Sequence, residues 1–223
     1  MKTFFAVLAF IIAILLATVV LSPAPDNQTG KAVTGLPWQI EVLPDGRSRV
    51  FELTVGASSL TDARGRFGEG ELALVAEPGE AESLELYLDT VTAGVVTGKM
   101  IVTADLSADA VAAMRQRATR TEYMKSSTKK SALAEADLPA AWAAPIRGLV
   151  FVPTINLDEE MIIQRFGQPA ERVRTTEKTE HLLYPDRGLD VVLDSDAKEL
   201  LQYVAPREFA RLREPLKAMG AKQ

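Results

Sequence analysis

From Thr3 to Pro25 the chain carries no charged residue, and the stretch Phe4–Leu21, FFAVLAFIIAILLATVVL, is almost wholly apolar. A helix rises about 1.5 Å per residue, so roughly 20 such residues cross a hydrocarbon core of about 30 Å. This stretch reads as an N-terminal transmembrane anchor over residues 1–25 and leaves the remainder to fold in water. A cleaved signal peptide is the competing reading. It needs a shorter apolar core and a small-x-small site, and the "SPA" here is followed by Pro25. Lys2 is the only charged side chain ahead of the apolar run, and Asp26 is the first behind it. Positive charge stays in the cytoplasm. The expected location is therefore the inner membrane, single-pass with the C-terminal region periplasmic, or secretion to the periplasm if the segment is cleaved.

Residues 26–35, rich in Pro, Gly and small polar side chains, read as a linker. Residues 36–120 read as a first α+β module. "WQIEV" and "SRVFELTV" alternate apolar and polar around a "PDG" turn, which predicts a hairpin. Ser58 or Ser59 caps a short helix that ends at Gly68. "ELALVAE", "SLELYLDTVTAG" and "VVTGKMIVTADL" then read as three strands, and Ser107–Arg120 as a helix. Residues 121–145 form a polar connection. Residues 146–223 read as a second α+β module: strand "IRGLVFVPTI", a helix capped by Asn156 and ended by Gly167, a meander, and a closing amphipathic helix from Pro206 with Phe209, Leu212 and Leu216 on its apolar stripe. The expected fold class is α+β, with one N-terminal transmembrane helix followed by two small modules, each a short helix packed on an antiparallel meander sheet.

Both modules contain Arg-Phe-Gly at a helix exit, in "DARGRFGEG" (62–70) and "IIQRFGQP" (162–169). Each also has a strand tyrosine, Tyr87 or Tyr184, a similar distance beyond its glycine. A duplicated module and two helices ending alike are both consistent with this. A buried Phe followed by a C-capping Gly is a common helix ending.

The second copy carries a family resemblance. The stretch from Asp158 to Pro206 is similar to the SmpA/OmlA, or BamE-like, domain, on Phe166, Gly167 and Pro169 at the helix exit and Tyr184 on the following strand. The resemblance implies a small α+β module of the cell envelope that serves as a protein-interaction scaffold. Family members in the barrel-assembly machinery are outer-membrane lipoproteins. This chain has no cysteine to lipidate, so that role does not transfer.

The absence of cysteine also excludes disulfides, thiolate metal sites and a Cys nucleophile. A net charge of −5, from 25 basic and 30 acidic side chains, argues against a dedicated nucleic-acid binder. His181, the sole histidine, sits beside Glu180 on a strand; one histidine is a poor basis for a transition-metal site. Asp194 and Asp196, with Glu199, could bind a hard cation, but they lack the periodicity of a calcium loop and read as a turn. Asp158, Glu159 and Glu160 suit a helix start. "GRFGEG" has no phosphate-loop ending. Arg115, Arg117, Arg120, Lys125, Lys129 and Lys130 form the one basic stretch, either a solvated face or a contact for anionic lipid head groups. No catalytic, cofactor or metal residues emerge. The expected function is a non-enzymatic, membrane-anchored envelope protein that binds or scaffolds other envelope proteins, with no nucleic-acid partner. A small-ligand binder or enzyme with a site between the modules, or an accessory subunit of a membrane complex, are the alternatives.

Overall fold

A computed structural model describes residues 33–79, 81–124 and 126–220. The expected transmembrane segment lies outside the described residues. Among the described residues, no helix is long and apolar enough to cross a membrane.

Thirteen strands are described: β1 (Glu41–Val42), β2 (Ser48–Val50), β3 (Leu53–Val55), β4 (Glu71–Ala76), β5 (Ser83–Ala93), β6 (Val96–Ala104), β7 (Arg120–Tyr123), β8 (Lys129–Ala132), β9 (Ile146–Pro153), β10 (Glu171–Arg174), β11 (Thr179–Tyr184), β12 (Leu189–Asp194) and β13 (Leu200–Val204). Five short α-helices accompany them: α1 (Leu60–Phe67), α2 (Ala108–Arg117), α3 (Leu138–Ala143), α4 (Glu159–Phe166) and α5 (Ala210–Gly220).

The expected pair of separate meander sheets is corrected. Ten strands form one antiparallel sheet in the order β10-β11-β12-β13-β9-β6-β5-β4-β8-β7, and β1-β2-β3 form a small second sheet. The seam lies where β6 pairs with β9 from Gly98↔Pro153 to Ala104↔Ile146. The two halves therefore share a hydrophobic core, because the side chains of one sheet face line up across the seam. Leu88, Met100, Phe151, Leu201, Val191 and Leu182 stand opposite one another strand by strand, all buried. Alternation with period two puts them all on one face. The polar run 121–145, expected as a connection, supplies β7, β8 and α3.

The expected hairpin around the "PDG" turn forms between β1 and β2, but the strand expected over "SRVFELTV" is corrected, since it breaks into β2 and β3. Phe51 and Glu52 adopt positive φ, 56° and 68°, and turn the chain between β2 and β3. Two-residue turns of this hand ordinarily carry Asn-Gly, since each non-Gly left-handed residue costs about 1–2 kcal/mol. Tertiary packing offsets that cost here. Phe51 is fully buried, with ring centroids 5.1 Å from Tyr203, 5.4 Å from Phe151 and 6.4 Å from Phe67. Glu52 pairs with Arg66 at 2.8 Å.

The two helix exits match in backbone geometry. α1 and α4 are each eight residues long and capped by Ser59 and Asp158, the latter in place of the expected Asn156. They end at Gly68 (φ 95°, ψ −166°) and Gly167 (φ 79°, ψ −172°). Each glycine N–H returns to the carbonyl four residues back at 2.8 Å. Neither glycine has a neighbour that a Cβ would strike, so the residue is demanded by φ alone. On the other face of the large sheet, α5 seats Phe209 and Leu216 against Leu183 and Val204.

Candidate partner-binding edge

The sheet ends in β10 on one side and β7 on the other, and the two edges are built differently. β10 is short and held by charge. Arg172 bonds Glu159 of α4 at 2.6 Å, and Glu171 bonds Arg213 of α5 at 3.1 Å. Such charged, covered edges resist pairing with other chains.

β7 is open. It forms a hairpin with β8 through a turn at Met124–Ser127, in which Ser127 takes φ 66° and the Met124 N–H donates to Thr128 O at 2.9 Å. Thr121 and Ser131 hydroxyls meet at 3.0 Å across the pair, and Lys130 ion-pairs with Glu71 to fix β8 on β4. Donation by Met124 sets the alternation of the ladder, so the N–H and C=O of Thr121 and Tyr123 point away from β8. No strand takes them among the described residues. All four side chains of β7 are exposed; Tyr123 is 76% exposed and the adjoining Met124 56%. The edge combines a free row of backbone donors and acceptors with two large apolar side chains, the elements of strand addition.

The basic stretch singled out in the sequence leads into this hairpin, and its charges are largely matched. Arg115 pairs with Glu82 at 3.1 Å, Arg120 with Glu122, and Lys130 with Glu71. Arg117 donates from Nη2 at 2.6 Å and from Nε at 3.1–3.2 Å to Asp137, which is 6% exposed. Lys125 lies outside the described residues. This matching favours the solvated-face reading over lipid contact.

His181 is buried, and its Nδ1 lies 2.8 Å from Asp190 Oδ2. Asp190 is 1% exposed; burial pushes its carboxyl up, while the hydrogen bond and charge of His181 pull it down. Asp190 was hidden in "LDVVLD", which reads as an unremarked strand. The available signal was an acidic residue set among Leu and Val near the start of a strand that pairs with the strand of the sole histidine. Glu180, its sequence neighbour, points to the opposite face, towards Arg172. The pair is enclosed and ties β11 to β12; it has the chemistry of a base and its orienter without an opening to substrate.

Asp194 accepts the Thr179 hydroxyl at 2.6 Å and the Asp196 N–H at 2.9 Å, which holds its carboxyl below the ordinary range, with the Thr179 bond the largest cause. Asp196 is paired with Lys178. These are the bonds of a turn. No group of three or more metal-ligating side chains is placed to hold an ion among the described residues. Gly70, of "GRFGEG", is required for packing, since a Cβ there would lie 2.6 Å from Tyr87 O. A cleft of about 560 Å³ beside the small sheet is lined by Trp38, Ile40, Arg49, Phe51 and Glu52, without a cluster of convergent carboxylates or histidines.

No family model, curated protein or solved structure matches the chain.

Proposed function

We propose that this chain is a non-enzymatic binding or scaffolding protein of the cell envelope that takes an extended segment of another protein onto β7. The observation that carries the reading is the open β7 edge, with its outward backbone groups and the exposed Tyr123 and Met124. The apolar run Phe4–Leu21 supports an inner-membrane location with the folded region in the periplasm. For the C-terminal half, the resemblance to SmpA/OmlA domains draws support from the short helix α4, which leads through Gly167 into the β10–β13 meander. A scaffold also fits a chain whose only buried histidine–carboxylate pair is closed off inside the sheet.

The test is photo-crosslinking in cells, with a photoreactive residue placed at Tyr123 in the full-length chain and, as a control, at Val95, which is 72% exposed on the β5–β6 turn. A discrete protein adduct from position 123 that is absent from position 95 supports strand addition. It should vanish in Thr121→Pro, which removes an N–H directed away from β8. Equal adducts from both positions, or an adduct that survives Thr121→Pro, would overturn it.

A further inference from the structure

At the far end of the sheet from β7, a pocket of about 280 Å³ lies between the N-terminal end of α4 and the turns joining β10 to β11 and β12 to β13. Leu157 and Leu193 supply its apolar wall, the exposed Arg174 and Glu177 stand at its rim, and Asp158, Glu180, Asp194 and Glu199 are its four other carboxylates. Three of these four already have partners. Asp158 accepts the Met161 N–H at 2.8 Å, Arg172 approaches Glu180 at 3.6 Å, and Asp194 accepts from Thr179 on one oxygen and from Asp196 on the other.

Glu199 is different. It is 8% exposed, its Oε2 is shut off from solvent, and no described group donates to it. A buried carboxylate without a donor is a costly arrangement. The nearby cations do not relieve it: Lys178 is engaged by Asp196, Lys198 reaches Thr154 O and Asn156 Oδ1 instead, and the exposed Arg174 at the rim makes no bond to Glu199 Oε2. The helix dipole of α4 places about half a positive charge at the pocket, but Asp158, Glu159 and Glu160 crowd that first turn and outweigh it.

We infer that this pocket binds a primary ammonium carried on a short aliphatic stem, with Glu199 accepting from the ammonium and Leu157 and Leu193 covering the stem. The volume lies at the lower end of small-molecule sites, which suits a group the size of one side chain. Scattered rather than convergent carboxylates disfavour a metal ion. The same chemistry is offered by a free diamine and by a lysine side chain of another protein. The site does not depend on the β7 reading, and either can fail without the other.

The test titrates the full-length chain, methyl-labelled and held in a non-ionic detergent micelle, with cadaverine and separately with Nα-acetyl-lysine methylamide at low ionic strength. Saturable shifts of the Leu157 and Leu193 methyl groups are expected, with the Leu183 methyls under α5 unmoved. Saturation by cadaverine alone assigns a free diamine; saturation by the lysine amide assigns a protein side chain. In Glu199→Gln, affinity should fall roughly tenfold or more, because a charge-assisted bond is lost. The proposal is overturned by no saturable shift up to about 10 mM, by undiminished binding to Glu199→Gln, by equal binding of 1-pentanol, or by tighter saturation of the same methyl groups by calcium.

Discussion

The Tyr184 hydroxyl donates to Gly167 O at 2.9 Å and so ties the end of β11 to the residue where α4 stops. Its counterpart in the first half does something else. The Tyr87 hydroxyl turns outward to Asp89 Oδ1 at 2.9 Å and accepts from Lys99 Nζ at 3.1 Å. The echo of Arg-Phe-Gly is thus shared in its glycines and not in its tyrosines. Tyr184→Phe should destabilise the fold by about 1 kcal/mol, and Tyr87→Phe by much less, since exposed pairs contribute little. Gly68→Ala and Gly167→Ala should each cost about 1–2 kcal/mol, because both glycines hold positive φ. Chemical denaturation of the four variants checks the contrast, and equal losses from the two tyrosine variants would count against it.

Phe51→Ala should cost about 3–5 kcal/mol, at the upper end for a core aromatic. It removes the ring that joins Phe67, Phe151 and Tyr203, and it leaves two positive-φ residues without the packing that holds them. Phe51→Leu should recover part of the loss. Thermal melts of the two variants against wild type give the comparison; a Phe51→Ala variant as stable as wild type would mean that the turn is not held by its ring.

Elements that owe their form to short-range chemistry were legible in the sequence. Ser107 and Gly68 mark helix ends through caps and φ, and the β4–β6 strands follow from alternation. What escaped depends on partners distant in sequence. Nothing local tells Phe51-Glu52 to turn rather than extend; Tyr203 and Phe151 decide it from 152 and 100 residues away. Nothing in "RTEY" or "KKSA" distinguishes a connection from two strands of a ten-stranded sheet, because their burial is slight and the pairing of β8 to β4, which brings the β7–β8 hairpin into the sheet, is long-range. The β7 edge went unread for that reason. Asp190 went unread because burial of a carboxylate is a property of the assembled sheet.

Asp190 gives a pH signature of its own sign. Burial raises its carboxyl above the ordinary aspartate value of 3.8, so the folded chain holds this proton more tightly than the unfolded chain does. Its contribution to stability is therefore present below that value and is lost as pH rises through the folded value. Asp62 and Asp194 are shifted the other way, through the Ser59 backbone and the Thr179 hydroxyl respectively, and their contributions are lost as pH falls below 3.8. The difference in unfolding free energy between wild type and Asp190→Asn should thus change with pH above about 4 and level off in stronger acid. A difference that stays constant across that range would remove Asp190 as its source.

The seam between β6 and β9 makes a last prediction about cooperativity. Gly98 sits where β6 is flanked by both β5 and β9, and a Cβ there would press on Val152 O and lie 2.6 Å from the Phe151 ring. Because backbone lies on that side, Gly98→Ala cannot be absorbed by a rotamer change and should cost about 2 kcal/mol or more. The loss should be felt on both sides of the seam, since Met100 and Phe151 belong to one buried row that runs on to Leu182. Native-state hydrogen exchange measures this directly. The slowest amides of β5 and of β12 should share one opening free energy in wild type, and should fall together in the variant. Two well-separated opening energies, with only the β5 side responding to Gly98→Ala, would show that the halves fold as independent units despite their common sheet.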